Sequence, residues 1–321
     1  MIFLRTLIAE EASTLEKEVG RNEAKPNITR FLYSKKVAPY VFVSPFVISF
    51  LLLFLYPTGS AINMSFQQVL PGQVEYVGWS NYERVLNPTF YTALQNTTIY
   101  VIFTLVILTL IPMVLAVFLN HRLMKYTNFF RASIFIPALT SVIVAGVIFR
   151  MIFGESDAAL ANQILQFVGL EPVEWRYNAW SAMFLMVALA SWRWMGVNVL
   201  YYLAALQNVN NDLYEAADID GANAWHKFVH VTFPAIKPIF IFLATITTIN
   251  GFRMFEESYV FFETSSPGNI GLTVVGYIYN EGIQRNDMGF GAAIGIVLLL
   301  IIFVVSVIQL YATGAFKKDD E

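Results

Sequence analysis

Six long runs of apolar residues, separated by polar connections, dominate the pattern of the chain. Each run is long enough for a helix to cross about 30 Å of hydrocarbon. A helix is the expected form because lipid offers no hydrogen-bond partners to free backbone groups, and the ten-residue alternation of a membrane β-barrel is absent from the sequence. The pattern predicts an all-α polytopic membrane protein with six transmembrane helices, over residues 38–61, 98–119, 132–153, 179–206, 235–262 and 289–313.

Composition supports a membrane protein and excludes several functions. Hydrophobic residues make up 57% of the 321 residues, charged residues make up only 13%, and the mean hydropathy is +0.57. Soluble domains carry about 25% charged residues, roughly twice as many. The chain has no cysteine, which excludes disulfides, thiolate metal sites and a cysteine nucleophile. Since the net charge is −3 and no long basic tract occurs, nucleic acid is not an expected partner.

The distribution of lysine and arginine predicts how the helices are oriented. With the N-terminus in the cytosol, the cytosolic segments hold 14 cations, the external loops hold 3 and the predicted helices hold 3. Both termini are therefore expected to be cytosolic, residues 1–37 as a leader and residues 314–321 as a tail. The leader does not read as a signal peptide, because its short apolar run is interrupted by an arginine and leads into acidic residues. The cytosolic cations are Arg5, Lys17, Arg21, Lys25, Arg30, Lys35, Lys36, Arg122, Lys125, Arg131, Lys227, Lys237, Lys317 and Lys318; the external ones are Arg84, Arg176 and Arg285; those in helices are Arg150, Arg193 and Arg253.

A polar stretch, EAADIDGANAWHKFVHVTFP (residues 215–234), interrupts the apolar pattern between the fourth and fifth predicted helices. Good helix formers precede an Asp-Gly pair, and the flanks of that pair lack the alternation of a β-hairpin. We therefore predict a helix, a turn at Gly221, and a second helix that is capped by Asp220 and ended by Pro234. From the residues alone, the stretch is either a docking surface or a loop that covers its own helices. One apolar face of the second helix is formed by Ala222, Trp225, Val229 and Phe233.

The spacing of this stretch resembles the EAA loop of ABC importer permease subunits. That family's pattern is EAA, two residues, DGA, five residues, F, two residues, an aliphatic residue, two residues and P. Flanking sequences such as SWRWMGVNVLYYLAALQNVNNDLYEAADIDGA are similar to the carbohydrate-uptake branch, the maltose and glycerol-phosphate permeases. The resemblance covers about residues 38–313 and departs at Thr264, where TSSPG stands in place of the family's Thr-x-Gly-Gly-Pro turn. Every position of the pattern is matched, by Glu215, Ala216, Ala217, Asp220, Gly221, Ala222, Phe228, Val231 and Pro234.

The resemblance implies a set of partners. The EAA loop, residues 208–234, would dock on a separate ATP-binding subunit and transmit its motion, with Glu215 and Gly221 as the key coupling residues. The six-helix permease domain, residues 38–313, would have the maltose-type fold and would pair with a second homologous permease as a heterodimer. Two ATP-binding subunits, an extracytoplasmic sugar-binding protein and the lipid bilayer complete the expected partners. ATP and Mg would bind to the ATPase subunits, because this chain has no Gly-Lys pair and hence no phosphate-binding loop.

Ionisable residues inside the predicted fourth and fifth helices indicate a polar pathway. Such residues cost about 2.5–3.5 kcal/mol each on insertion scales, so they face a cavity or pair with one another. Both alternatives are open for Arg193, Arg253, Glu256 and Glu257. Aromatic faces and hydrogen-bonding side chains suit a sugar. In maltose-type permeases the sugar site lies midway along these helices, which implies substrate binding here by Trp194, Asn198, Asn250, Arg253 and Glu256.

The leading hypothesis is the transmembrane permease subunit of an ATP-binding-cassette importer in a bacterial or archaeal cytoplasmic membrane, with a sugar, specifically an oligosaccharide, as the expected substrate. The chain itself would be no enzyme and would bind no cofactor or metal. The alternative is an ATP-independent secondary sugar transporter or channel, which would be active without partner subunits. An intramembrane enzyme finds no support, since neither an HExxH nor a GxSxG motif is present.

Overall fold

The computed structural model describes residues 34–120, 126–263 and 266–315. The chain divides into two compact units, residues 1–60 and 61–321. The described part of the first unit is mainly helix α1 (Ala38–Ser65), whose last residues belong in sequence to the second unit. A single π-helical turn, Leu51–Leu55, interrupts its α-helical hydrogen bonds. Residues 38–60 carry no charge, as a helix that crosses hydrocarbon requires.

A β-hairpin and a short helix follow α1, in the connection between the first two predicted helices. Strands β1 (Gln67–Leu70) and β2 (Gln73–Tyr76) pair antiparallel. Helix α2 (Ser80–Val85) holds the hairpin, because the buried amide of Asn81 donates to the backbone oxygen of Gln67 at 2.9 Å. The all-α prediction is therefore wrong for this connection. Four-residue strands are too short to give a clear alternating pattern.

Helix α3 (Pro88–Leu119) is the second long helix and begins ten residues before the predicted start at residue 98. Its N-cap is Asn87, whose side-chain oxygen accepts from the backbone N–H of Phe90 at 2.9 Å. The extra turns contain polar residues that hydropathy alone assigns to a loop. The helix therefore projects beyond the hydrocarbon on the side where the hairpin lies.

The predicted third helix, 132–153, is wrong as a continuous element. Two helices occupy it, α4 (Thr127–Leu139) and α5 (Val142–Ile152), and they meet at an angle of 97°. Pro137 lies in the last turn of α4, where it lacks a backbone donor and favours the end of the helix. The apolar run continues through the bend, so hydropathy gives no sign of it.

A short helix and the most buried long helix come next, α6 (Leu160–Phe167) and α7 (Ala179–Gln207). Helix α7 packs against α3 and α4 and carries several of the fully buried side chains. Gly196 permits its approach to α4, because a Cβ at that position would lie 1.9 Å from the backbone oxygen of Ile134. Of the three clusters of buried apolar side chains among the described residues, two include residues of α7, and the third packs α2 and α3 against helices nearer the C-terminus. The observed α7 matches the predicted range 179–206 closely.

The EAA loop and the predicted fifth helix form one nearly continuous helical region. Helix α8 (Asn211–Ile219) is followed by α9 (Ala224–Lys227), a π-helical turn (Phe228–Thr232) and α10 (Phe233–Phe252). Helix α11 (Glu256–Phe262) continues after a break of three residues. The predicted helix 235–262 is thus two helices, and the break lies among its polar residues.

The last elements are α12 (Val274–Ile278), a π-helical turn (Tyr279–Gln284) and α13 (Met288–Ala312). Arg84 of α2 donates to the carboxylate of Asp287 at 2.9 Å, which joins the hairpin region to the start of α13. The described part of the chain has five segments long and apolar enough to cross a membrane, or six when α4 and α5 are counted as one.

Several predictions fall on residues outside the described ranges. They include most of the leader and most of the tail, as well as the turn residues Thr264 and Ser265. The predicted orientation rests largely on such residues and stays a prediction. The cations concerned are Arg5, Lys17, Arg21, Lys25, Arg30, Arg122, Lys125, Lys317 and Lys318.

Candidate functional site

A cavity of about 680 Å³ lies between α3, α7, α10 and α11. Helix α7 contributes one wall because polar residues recur on the side that faces α10. The break between α10 and α11 contributes another, since it places charged side chains at the cavity. All five residues predicted to bind substrate line this one cavity, although their binding role stays a prediction: Trp194, Asn198, Asn250, Arg253 and Glu256.

The charged residues of the cavity are partly paired with one another. Arg193 is 8% exposed and lies 3.5 Å from a carboxylate oxygen of Glu257, which is 7% exposed. A second carboxylate, that of the exposed Glu256, is 3.8 Å from the same guanidinium. Arg193 also lies over the ring of Trp194, at 5.4 Å from the centroid. In the described part of the chain, Arg253 forms no salt bridge and projects into the cavity.

Asn198 is buried, and its hydrogen-bonding capacity is partly used within the protein. Its side-chain nitrogen donates to the backbone oxygen of Leu108 at 2.7 Å, which joins α7 to α3 at the cavity wall. Trp194 and Asn250, by contrast, are exposed to the cavity. Asn198 therefore also has a structural role, as a link between two walls of the cavity.

Two further sets of lining residues were missed from the sequence. Tyr100 and Thr104 come from α3, and Tyr201, Phe242 and Phe255 add aromatic surface from α7 and the region around α10. The resemblance to the family's sugar site points only to the fourth and fifth helices, so it gives no indication of α3. Hydroxyl side chains recurring within the apolar second helix were the available signal for Tyr100 and Thr104.

The EAA loop folds as a compact helical pair. Gly221 adopts φ +74° after α8, a conformation open to glycine, so the predicted turn at this residue is confirmed. The hydroxyl of Tyr214 lies 2.9 Å from that of Thr232, which joins α8 to the π-helical turn. Lys227 forms a salt bridge with Asp218 across the turn. These contacts give the loop a fixed shape.

Two details of the predicted loop are wrong. Asp220 does not cap the second helix, since Asn223 does so by accepting from the backbone N–H of His226 at 2.9 Å. The turn at glycine extends farther than expected and moves the cap three residues along the chain. Pro234 does not end the helix either. It lies in the first turn of α10, directly after the π-helical turn Phe228–Thr232, whose wider hydrogen-bonding pattern accommodates a missing donor.

Apolar side chains of the loop are displayed to its surroundings. Leu213, Ile219 and Trp225 are 52%, 87% and 69% exposed. Of the predicted apolar face, Val229 and Phe233 are half-buried while Trp225 is exposed, so this face packs only in part against the helices of the chain itself. The exposed motif residues are Glu215, Ala216, Asp220, Gly221 and Pro234.

Comparison with known protein families connects these two features. The family described as "Binding-protein-dependent transport system inner membrane component" matches residues 113–317, which include the EAA loop and the cavity walls of α7, α10 and α11. The chain belongs to this family. The permease is therefore a multi-pass membrane component of a transport system that depends on a binding protein. This membership decides against the ATP-independent transporter or channel.

Curated relatives of the permease extend over most of its length. The arabinooligosaccharides transport system permease protein AraP of Halalkalibacterium halodurans is 67% identical over 291 residues, which cover 91% of this chain and 92% of the relative. AraP of Bacillus subtilis is 60% identical and covers 89% and 92%. The lactose transport system permease protein LacF of Rhizobium radiobacter is 33% identical and covers 87% and 94%.

Solved structures support the fold of the permease. A chain of a bacterial ABC transporter involved in the import of the acidic polysaccharide alginate has a TM-score of 0.78 and 22% identity, covering 95% of this chain and 100% of that one. A second alginate transporter structure, in complex with a periplasmic protein bound to an alginate pentasaccharide, has a TM-score of 0.77 and 23% identity, covering 88% and 95%. The ABC importer permease fold is thus shared.

Proposed function

We propose that the permease translocates an oligosaccharide of the arabino-oligosaccharide class, as one subunit of an ATP-driven importer. The observation that carries this proposal is the identity of 67% and 60% to two AraP proteins, across about nine-tenths of each chain. Identity to LacF is only 33%. The preference for arabino-oligosaccharides over other sugars follows from this difference.

The cavity supports a sugar as the transported molecule. Its volume of about 680 Å³ falls within the range of about 300–1,000 Å³ typical of small-molecule sites. Trp194 offers an aromatic face to the apolar side of a sugar ring. Asn250, Arg253 and Glu256 offer donors and acceptors to its hydroxyls. The pairing of Arg193 with Glu257 reduces the net charge of the lining, which favours a neutral substrate over an anion.

The EAA loop supports the proposal that a separate ATPase drives the cycle. Its exposed Leu213, Ile219 and Trp225 form an apolar surface around the motif residues Glu215 and Gly221, suited to a cleft on an ATP-binding subunit. The full importer would contain this permease, a second homologous permease, two ATP-binding subunits and an external sugar-binding protein. ATP and Mg would bind to the ATP-binding subunits. The chain would lie in the cytoplasmic membrane of a bacterium or archaeon, with both termini and the EAA loop in the cytosol.

Uptake by proteoliposomes tests the substrate. The chain is reconstituted with its partner permease, the ATP-binding subunits and the sugar-binding protein, and accumulation of labelled arabinotriose is measured. We expect uptake to require internal ATP and to be inhibited by unlabelled arabino-oligosaccharides but not by maltotriose. Uptake without ATP would contradict the importer mechanism, and equal inhibition by maltotriose would contradict the substrate class.

A pair of neighbouring tryptophans tests the site. Trp194→Ala removes an aromatic face from the cavity, and we expect at least a tenfold loss in uptake, equivalent to about 1.4 kcal/mol. The matched control is Trp192→Ala, because Trp192 does not line the cavity and packs on Phe149 at 5.8 Å between ring centroids. Equal losses in both variants would refute the assignment of Trp194 to the substrate site.

Two glycines with the same geometry test the coupling role of the loop. Gly221 and Gly314 both follow a helix, at φ +74° and +75°, with the next residue donating to a backbone oxygen five residues earlier. A Cβ added to Gly221 would have no neighbour within 4 Å. Gly314 lies in the equivalent helix-ending turn after α13. We expect Gly221→Val to uncouple ATP hydrolysis from uptake and Gly314→Val to leave coupling intact. ATP-coupled transport by the Gly221→Val variant would contradict the coupling role of Gly221.

A further inference from the structure

Helix α6 displays an apolar face that the rest of the described chain leaves uncovered. Leu160, Ile164, Phe167 and Val168 are 53%, 57%, 89% and 63% exposed. At 100° per residue these four side chains fall within an arc of about 100° on the helix surface. They form the α6 face. Residues 160–170 carry no charge, so the whole segment is apolar or neutral.

A network of hydrogen bonds fixes the direction in which the α6 face points. Asn162, on the opposite side of the helix, is fully buried. Its side-chain nitrogen lies within hydrogen-bonding distance of the backbone oxygens of Gly154, Ser156 and Val173, at 3.3, 3.1 and 3.2 Å. Its side-chain oxygen accepts from the backbone N–H of Val173 at 3.0 Å and from the indole N–H of Trp175 at 2.9 Å. The helix is therefore pinned by its polar side, and the apolar side is held outward.

A salt bridge secures the connection that carries α6. The guanidinium of Arg176 donates to the carboxylate of Glu155 at 2.7 Å, so the segments before and after the helix are joined. Both side chains are largely shielded, with 28% and 22% of their surface exposed. The hydrogen bonds and this salt bridge therefore hold α6 in place, and the exposure of the α6 face does not result from a loosely held loop.

The position of α6 along the chain places it at a membrane surface. Helix α5 ends at Ile152 and α7 begins at Ala179, so α6 connects two consecutive membrane segments on one side. Tyr177 and Trp180, at the start of α7, are 57% and 67% exposed. Tyrosine and tryptophan are enriched at the level of the lipid headgroups. These aromatic side chains mark the height at which α6 lies.

We propose that α6 is an interfacial helix, with the α6 face inserted among lipid headgroups and the first carbons of the acyl chains. Two observations favour lipid over a protein partner. The exposed apolar surface of α5, including Val147, Ile148 and Met151, belongs to the adjoining membrane segment, so lipid-facing surface continues toward α6. The α6 face also carries no charge, so it can form no ion pair with a protein partner.

The absence of cysteine from the chain allows a direct test. Three single variants of the full chain are made, Ile164→Cys, Phe167→Cys and Gln166→Cys, and each is labelled with a nitroxide at the new cysteine. Each labelled chain, with the subunits that co-purify, is placed in nanodiscs of phosphatidylcholine and phosphatidylglycerol. Collisions with oxygen, which concentrates in lipid, and with a water-soluble nickel chelate are compared by electron paramagnetic resonance. Gln166 is the matched control, because it is exposed on the flank of the helix away from the α6 face.

The proposal predicts an oxygen-to-nickel accessibility ratio at least threefold higher at positions 164 and 167 than at 166, unchanged when salt is raised. Val168→Cys serves as a second label position if either variant fails to fold. Ratios equal to that of the control would place the face in water and overturn the proposal. Protection from both reagents would place it against a protein and overturn the proposal equally.

Discussion

The buried pair of Arg193 and Glu257 offers the sharpest test of the cavity's energetics. It joins α7 to α11 across a cavity wall, with charged atoms 3.5 Å apart and both residues more than nine-tenths buried. Arg193→Met leaves Glu257 without its cation, and Glu257→Met leaves the guanidinium with only the exposed Glu256 at 3.8 Å. The double variant removes both charges together.

The magnitude follows from the distance. At an effective dielectric constant of about 20, two unit charges 3.5 Å apart attract by about 5 kcal/mol, most of which offsets the cost of removing them from water. Removing one partner of such a pair costs about 3–5 kcal/mol, because the remaining charge is buried and unpaired. Glu256 has a side chain 63% exposed, so Glu256→Gln costs at most about 1 kcal/mol.

Thermal unfolding of the purified permease in detergent measures these differences. For a chain of this length we take about 2 °C per kcal/mol, so each single variant is expected to lower Tm by about 6–10 °C. Arg193→Met/Glu257→Met should recover at least half of that loss, and Glu256→Gln should stay within about 2 °C of the wild type. The reasoning is refuted if the double variant loses the sum of the two single losses, or if Glu257→Met is no worse than Glu256→Gln.

Two further expectations concern packing and the α6 connection. Gly196→Ala would place a Cβ 1.9 Å from the backbone oxygen of Ile134 and should lower the free energy of unfolding by about 1–3 kcal/mol. The control is Gly295→Ala, whose Cβ would have its nearest neighbour at 4.0 Å and which should be neutral or stabilising in the same thermal unfolding experiments. Equal losses of stability in the two variants would contradict the packing argument. Asn162→Leu removes a fully buried side chain that donates to and accepts from backbone or indole groups of four residues, and it should speed amide exchange of residues 153–178 at least tenfold by mass spectrometry. Gln166→Leu, on the exposed flank, should leave the exchange unchanged. Unchanged exchange in Asn162→Leu would mean that the network does not hold the connection.

The sequence predicts a helix well where lipid alone decides its limits. The predicted range 179–206 and the observed Ala179–Gln207 differ by one residue, and 289–313 and Met288–Ala312 differ by one at each end. In both cases the apolar run and the helix end together. Helix α3 begins at Pro88 because a polar N-cap and tertiary contacts extend it beyond the hydrocarbon, which hydropathy does not report.

The cavity could be predicted only in part, for a physical reason. Charged and amide groups inside apolar helices indicate a polar pathway, and Trp194, Arg253 and Glu256 do line the cavity. Which helix faces them depends on contacts between distant parts of the chain. The hydrogen bond from Asn198 to the backbone oxygen of Leu108 joins residues 90 positions apart, and no local sequence pattern predicts it. The hydroxyls of Tyr100 and Thr104 show in the sequence that α3 is partly polar, but only the tertiary contacts show that they face this cavity.

The 97° bend divides the third membrane segment between two neighbours. Helix α4 meets α7 where Gly196 leaves no space beside the backbone of Ile134. Helix α5 meets α11 in the same way, since a Cβ on Gly146 would lie 1.8 Å from a methyl carbon of Val260. Neither contact leaves room for one helix to slide past the other. Helix α5 also touches α7 through Phe149 and Trp192, so the two glycine contacts fix each half of the segment most tightly to a different neighbour. A shift of α11 relative to α7 would therefore bend the segment at residues 140–141.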